Sequence, residues 1–143
     1  MKKFIIVLIT IAMLMNIVVL PTFAEDATPS PRLNTVMNIT HQFYIDSNGV
    51  AEVLSEYYGY SSYFVSASIT VKIQKRVLGV FWQTVDIGEP DNVWTYTSTE
   101  YASGFVRSTQ LTDKGTYRAV FTYSFVGTNG NDELEEKVTY TYE

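Results

Sequence analysis

The chain has 143 residues, no cysteine and a formal net charge of −5 at neutral pH. Without cysteine there is no disulfide, no thiolate metal site and no cysteine nucleophile, although a chain of this length can bury a core unaided. The negative charge argues against nucleic acid as a partner and disfavours anionic membranes, since both repel an acidic protein.

Residues 1–24 have the pattern of a secretory signal peptide. Residues 1–3 are Met-Lys-Lys, residues 4–20 carry no charge, and Pro21 ends any helix because its ring nitrogen has no hydrogen to donate. We expect cleavage after Ala24. The alternative is a retained membrane anchor, because the uncharged run exceeds the roughly 7–15 residues of most signal peptides but falls short of the roughly 20 of a spanning helix. In both cases we expect export, to the extracellular space or the cell envelope.

Removal of this leader leaves a mature chain of about 119 residues that is more acidic than the whole. It has eight basic and fifteen acidic side chains, a net charge of −7, and it contains all eleven tyrosines and both tryptophans. Residues 25–37 hold Pro29 and Pro31 among small polar residues without periodicity, which predicts a flexible linker. We expect residues 38–143 to form a single domain.

Apolar and polar residues alternate with a period of two through most of this domain, and no window shows a helical period. Clusters of Gly, Asn, Asp and Ser interrupt the alternation, and the Asn48-Gly49 pair is typical of a tight hairpin. The predicted strands cover residues 39–45, 50–57, 65–76, 81–87, 93–101, 105–111, 116–126 and 134–142. About eight short strands at nearly regular spacing predict an all-β sandwich or barrel.

The alternation also predicts which side chains share a face. Three strands give the clearest sets, which are Ala51, Val53, Ser55 and Tyr57; then Ala67, Ile69, Val71 and Ile73; and then Tyr117, Ala119, Phe121, Tyr123 and Phe125. In the first strand Ile39, His41, Phe43 and Ile45 fall on one face.

A short motif near the C-terminus favours one of these two folds, the sandwich. Asp113, Gly115 and Tyr117 open a strong strand, and they resemble the tyrosine corner of immunoglobulin-like sandwiches, in which a Tyr hydroxyl binds backbone a few residues upstream. Ala119 stands where antibody domains have a cysteine, so the motif indicates the architecture and not kinship with antibodies. The alternative is an ordinary turn followed by a strand. We therefore predict an immunoglobulin-like antiparallel β-sandwich of about seven or eight strands.

The order of features between Phe43 and Tyr142 resembles a family of small secreted proteins of unknown function from Gram-positive bacteria. The shared features are the Gly59-Tyr60 break, the Ile-x-Val-x-Ile-Gln-Lys strand that ends at Lys75, the string Trp82-x-Thr-Val85, and the string Lys114-Gly115-x-Tyr117-Arg118. The resemblance implies export and an immunoglobulin-like sandwich. It implies no known activity and no functional residues.

Few side chains offer catalytic chemistry. His41 is the single histidine and lies on an apolar strand face, where a half-buried structural role is favoured over a catalytic one. One histidine excludes a metal site built from two or three. Asp46, Glu89, Asp91 and Asp132 lie in or beside turns, but they lack the spacing of a calcium loop. We predict no catalytic residues, no metal site, no cofactor and no enzyme activity.

The tyrosines indicate a ligand-binding role more specifically than any side chain indicates catalysis. Tyr57, Tyr58, Tyr60 and Tyr63 crowd the predicted loop between the second and third strands. Exposed tyrosines stack on sugars and anchor protein partners, although tyrosine also favours strands for packing alone.

We predict a secreted or cell-envelope binding module that takes an unknown protein or glycan through this loop. The alternative is a structural subunit of a surface layer or appendage, assembled through the edges of the Ser/Thr-rich strands between Val93 and Leu111. A small hydrolase is the least favoured function. A membrane partner is expected only if the leader stays uncleaved, and the oligomeric state is left open.

Overall fold

The computed structural model describes residues 33–143; the predicted signal peptide and most of the predicted linker lie outside the described residues. The strands are β1 (Val36–Ile45), β2 (Val50–Gly59), β3 (Phe64–Val77), β4 (Phe81–Thr84), β5 (Trp94–Ser98), β6 (Ala102–Gln110), β7 (Gly115–Gly127) and β8 (Gly130–Tyr142). A 3₁₀ turn at Pro90–Asn92 precedes β5. In this part of the chain no helix is long and apolar enough to cross a membrane.

The eight strands form two antiparallel sheets that pack as a sandwich. The three-stranded sheet has the order β1-β2-β6. The five-stranded sheet has the order β4-β3-β7-β8, with β5 also paired to β3. This order matches strands A, B and E against strands C, F and G of an immunoglobulin-like sandwich. The predicted fold class is confirmed.

The core lies between the sheets and contains the side chains that the alternation places inward. All members of the three sets predicted from β2, β3 and β7 are buried, together with Phe43 and Ile45 of β1. Aromatic rings form its centre, where Phe121, Tyr123 and Phe125 follow one another along β7 and Tyr57 packs on Phe125 with ring centroids 5.2 Å apart. Strong alternation in the long strands thus predicts the buried face correctly.

Element boundaries differ from the prediction at both ends of the domain. Strand β8 begins at Gly130, because Gly127 pairs with Gly130 and only two residues form the turn that was expected to span 127–132. Strand β1 begins at Val36, inside the segment expected to be a linker. Strand β4 ends at Thr84, earlier than the sequence predicts. It pairs with residues 74–77 of β3, and β5 pairs with residues 67–71 along the same edge.

Asp132 holds the start of β1 in place, inside the segment that the sequence predicts to be a linker. This buried carboxylate accepts the backbone amides of Asn34 at 2.9 Å and Thr35 at 2.6 Å, and the Thr35 hydroxyl donates to the carbonyl of Gly130. These bonds fasten the start of the domain to the β7–β8 turn. We call this the N-terminal end of the sandwich; residues 78–80 and 111–114 lie at the opposite end.

Candidate functional site

The structure separates the four tyrosines that the sequence groups together. Tyr57 is fully buried, its ring stacks on Phe64 with centroids 5.5 Å apart, and its hydroxyl donates to the carbonyl of Glu100 at 2.8 Å. Burial raises its pKa. Tyr57 continues the inward face of β2, so it is a core residue, and its place among the candidate ligand-binding residues is corrected.

Tyr60 and Tyr63 form a half-buried pair at the N-terminal end. Their ring centroids lie 5.2 Å apart. The Tyr60 amide donates to the Thr35 carbonyl at 3.0 Å, and the Thr128 amide donates to the Tyr63 carbonyl at 2.8 Å. The turn is therefore tied both to the start of β1 and to the β7–β8 turn. These contacts give the pair a structural role in closing this end of the sandwich.

Tyr58 stands apart from the other three, on the outer face of the three-stranded sheet. Its side chain is 53% exposed. In the sheet it pairs with Asn38 of β1 and Ala102 of β6. Among the described residues no hydrogen bond to its hydroxyl is present. Of the four predicted candidates, Tyr58 is the one that presents a free aromatic ring.

A shallow depression of about 220 Å³ lies beside this ring, bounded by Glu56, Tyr58, Ala102, Ser103 and Gly104. We call these five residues the Tyr58 shelf. The small residues of β6 leave open space next to the ring. Gly104 permits the close approach of β2 and β6, because a Cβ there would lie 2.5 Å from the Ser55 carbonyl oxygen.

The shelf combines an apolar ring with a hydrogen-bonding carboxylate. Glu56 is exposed, and neither ion pair within residues 33–143 involves it. The Ser103 hydroxyl is engaged with the hydroxyl of Tyr96. The exposed tyrosine and the carboxylate together provide a stacking surface and acceptors for hydroxyl or amide hydrogens.

A larger depression of about 500 Å³ lies on the outer face of the five-stranded sheet. Serine and threonine dominate its lining, which is made of Ser66, Ala67, Ser68, Thr97, Ser98, Thr99, Ser124 and Val126. The lining contains no aromatic ring and no ionisable side chain. It offers hydroxyl groups but no stacking surface or charge to select a ligand.

The polar groups in the core do not form a catalytic arrangement. His41 packs on Phe121 with ring centroids 5.2 Å apart, and its buried Nδ1 has no hydrogen-bond partner among the described residues. Ser55 is opposite His41 in the β1–β2 pairing, but its hydroxyl is bonded to Tyr123 at 3.0 Å. Because Ser55 is fully buried, no substrate reaches it.

Two of the turn carboxylates, Asp46 and Asp132, accept hydrogen bonds from backbone amides. They lie at opposite ends of the sandwich. Asp46 accepts the amides of Asn48 and Val50 at 2.8 Å each, and these bonds, the Val50 bond above all, lower its pKa. Asp132 accepts the amides of the N-terminal segment, as described above. Within residues 33–143 no group of three or more His, Asp or Glu side chains is arranged to hold a metal ion.

The Asp113-Lys114-Gly115-Thr116-Tyr117 motif has the geometry of a tyrosine corner. The Tyr117 hydroxyl donates to the backbone carbonyl of Asp113 at 2.6 Å, and Gly115 has a positive φ of 147° that disfavours a side chain. The Lys75 ammonium lies 3.1 Å from the Asp113 carboxylate and 5.6 Å from the centre of the Tyr117 ring. The motif has a structural role at the start of β7.

Comparison with known proteins adds no functional information. No family model matches the chain, and no curated protein or solved structure matches it either. The resemblance to a secreted family therefore stays a prediction, and the functional inference rests on the geometry of the described residues.

Proposed function

We propose that this protein is an exported, non-catalytic binding module and that the Tyr58 shelf is its ligand-binding surface. The observation that carries the proposal is the exposed Tyr58 ring beside an open depression and an unpaired carboxylate. The protein leaves about half of the Tyr58 side chain uncovered. A single exposed ring needs no explanation by itself, but this ring adjoins a depression and an exposed carboxylate, and that combination supports a ligand at this place.

Tyr44 is also an exposed tyrosine, but it lies beside no described depression. It lies on the same outer face and is also exposed, but its hydroxyl donates to Glu52 at 2.5 Å, and this hydrogen bond raises its pKa. None of the described depressions includes Tyr44. The two tyrosines therefore provide a matched pair for experiments.

A neutral glycan fits the shelf best. The apolar face of a sugar ring stacks on an aromatic side chain, and its hydroxyl groups donate to a carboxylate such as Glu56. The volume of about 220 Å³ is below the roughly 300–1,000 Å³ of pockets that enclose small molecules, so the shelf suits one unit of a longer chain. The carboxylate and the acidic net charge disfavour an anionic polymer.

Binding without catalysis agrees with the composition of the shelf. Glycoside hydrolysis generally needs two carboxyl groups that flank the scissile bond, about 5–10 Å apart. Glu56 is the only carboxylate that lines the shelf. The proposal therefore assigns recognition and no turnover to this surface.

Assembly through the β8 edge has less support. The edge strand β8 carries the exposed, charged side chains Glu133, Glu135 and Lys137, and Glu135 pairs with Lys137 at 2.7 Å. Charged residues on an edge strand are a common means of preventing edge-to-edge pairing. The charged side chains of β8 therefore oppose pairing of this edge with another chain.

The proposal is tested by measuring retention of the mature chain on a panel of immobilised neutral glycans. We expect Tyr58→Ala to lose retention at least about tenfold, as expected for the loss of a stacking ring, while Tyr44→Ala binds like the wild type. Both variants should keep the wild-type melting temperature, since both rings are exposed. Equal loss in the two variants, or no retention of the wild type by any glycan, would refute the proposal.

A further inference from the structure

A second surface lies at the opposite end of the sandwich, where the β3–β4 hairpin exposes apolar side chains. Leu78, Val80 and Phe81 are 88%, 69% and 63% exposed. We call residues 78–81 the hairpin tip. Leu78 and Gly79 both have positive φ, and a Cβ added at Gly79 would meet nothing within 4 Å, so the turn projects into open space.

The composition of this tip is unusual for a turn. Turns are normally rich in polar residues, Gly, Pro, Asn and Asp, whereas Leu78 and Val80, two of the three residues between β3 and β4, are large and apolar. Leu78 and Val80 flank Gly79 and are both largely exposed, so the apolar side chains surround a protrusion and do not form a flat patch. A medium that surrounds the tip fits this shape better than a flat partner surface.

Basic residues stand immediately behind the tip. Lys75 and Arg76 precede it on β3, and Lys114 lies in the turn before β7 at the same end. With Arg118 of β7, whose guanidinium lies 4.2 Å from the centre of the Trp82 ring, four of the seven basic side chains of residues 33–143 lie near the tip. The region around the tip is therefore basic, although the chain as a whole has a negative net charge.

Acidic groups at this end lie to the side or are already paired. The Asp113 carboxylate is bonded to Lys75 at 3.1 Å, and Glu135 of β8, which lies near Arg118, is bonded to Lys137 at 2.7 Å. Glu143 follows β8, which is separated from β4 by two strands, or about 14 Å in the sheet. Asp46 belongs to the β1–β2 turn of the other sheet. Because charges are screened over about 8–10 Å, the local excess of basic residues decides what approaches the tip.

Trp82 places an aromatic ring directly beside the hairpin tip. It follows Phe81 and pairs in the sheet with Arg76, and the Arg118 guanidinium lies 4.2 Å from the centre of its ring. Tryptophan and arginine prefer the headgroup level of a bilayer, where an apolar body and a polar group are both accommodated. The Arg76–Trp82 pair is one residue step behind the Val77–Phe81 pair, or about 3.4 Å.

We propose that the hairpin tip inserts into the surface of an anionic lipid bilayer. Leu78, Val80 and Phe81 enter the boundary between headgroups and acyl chains, at the depth of about 5–10 Å that interfacial apolar groups reach. Arg76, Lys114 and Trp82 then lie among the lipid phosphates. This site is independent of the Tyr58 shelf, which lies on the outer face of the other sheet towards the N-terminal end.

The test is co-sedimentation of the mature chain with vesicles of phosphatidylcholine, alone or with about 30% phosphatidylglycerol, a fraction that gives a clearly negative surface. We expect binding to the anionic vesicles, weakened by high salt, and at least about tenfold weaker for the double variant Leu78→Ser, Val80→Ser. Arg76→Gln with Lys114→Gln should also weaken it. The control Val106→Ser, at an exposed site on the other sheet, should bind like the wild type.

Lipids brominated on the acyl chains give a second readout that does not depend on the variants. They should quench the fluorescence of Trp82, with no quenching left in Trp82→Phe, because Trp94 is buried in the core. Absence of vesicle binding, or equal binding by the folded Leu78→Ser, Val80→Ser variant, would overturn the inference. Capture of a protein partner by the tip without lipid binding would overturn it as well. Tyr58→Ala should bind vesicles normally, which separates this test from that of the shelf.

Discussion

Ser55 of β2 and Tyr123 of β7 join the two sheets through hydroxyl oxygens that lie 3.0 Å apart, and both side chains are fully buried. Neither hydroxyl reaches water, so removal of one leaves the other without a partner. We expect Ser55→Ala to lower the free energy of unfolding by about 1–3 kcal/mol, the cost of a buried unsatisfied polar group. In urea titrations the double variant with Tyr123→Phe should lose much less than the sum of the single losses. Additive losses would show that the bond contributes nothing.

The same tyrosine predicts how stability depends on alkaline pH. Burial raises the pKa of Tyr123 to about 12, whereas an unfolded chain has a tyrosine pKa of about 10. The unfolded state therefore loses its proton first as the pH rises. The contribution of the neutral phenol is fully present below pH 10 and is lost as the pH approaches about 12.

The size of this effect is roughly 3 kcal/mol for two pH units. We expect the unfolding free energy of the wild type to fall more steeply between about pH 10 and 12 than that of Tyr123→Phe, in which this ionisation is absent. Identical pH profiles of the two proteins, measured by chemical denaturation, would contradict the assigned burial effect.

The tyrosine corner makes a separate prediction. Tyr117→Phe removes the bond to the Asp113 carbonyl and should cost about 1–2 kcal/mol of unfolding free energy. Tyr140 lies next to Tyr117 on β8, and the described residues offer its hydroxyl no hydrogen bond, so Tyr140→Phe is the control. Thermal unfolding should show a lower melting temperature for the first variant only. A similar shift in both would mean that the corner bond has no special role.

Asp132 should determine whether the start of the domain stays docked. Asp132→Ala removes the acceptor of the Asn34 and Thr35 amides, so we expect faster hydrogen exchange at residues 34–37 and a loss of about 1–3 kcal/mol. The exposed neighbour Glu133 provides the control, Glu133→Ala. Unchanged exchange in Asp132→Ala would show that β1 holds this segment alone.

The sequence predicts the sheets better than it predicts the candidate sites. Alternation along β3 and β7 identifies the buried face, because a strand with one face in the core repeats every two residues. The same alternation places Tyr57 inside, so the local crowding of tyrosines was a weaker guide than the period. Asn131 and Asp132 are typical turn residues, yet the pairing of Asp132 with Phe125 of β7 makes it part of β8.

The partners of Tyr58 could not be predicted from nearby sequence. Ala102, Ser103 and Gly104 reach the shelf through the pairing of β2 with β6, more than 40 residues along the chain. That register depends on how the two sheets pack and not on any local motif. The exposure of the hairpin tip could not be predicted for another reason: Leu78 and Val80 adjoin strands and Phe81 begins one, and apolar residues at such positions normally indicate core.

The most direct test of glycan binding at the shelf is a nitrogen-15 NMR titration of the mature domain with short neutral oligosaccharides. The proposed function predicts shifts that cluster at residues 56–58 and 102–104 and that disappear in Tyr58→Ala but persist in Tyr44→Ala. Shifts elsewhere on the domain, or none at saturating sugar, would contradict a glycan site at Tyr58.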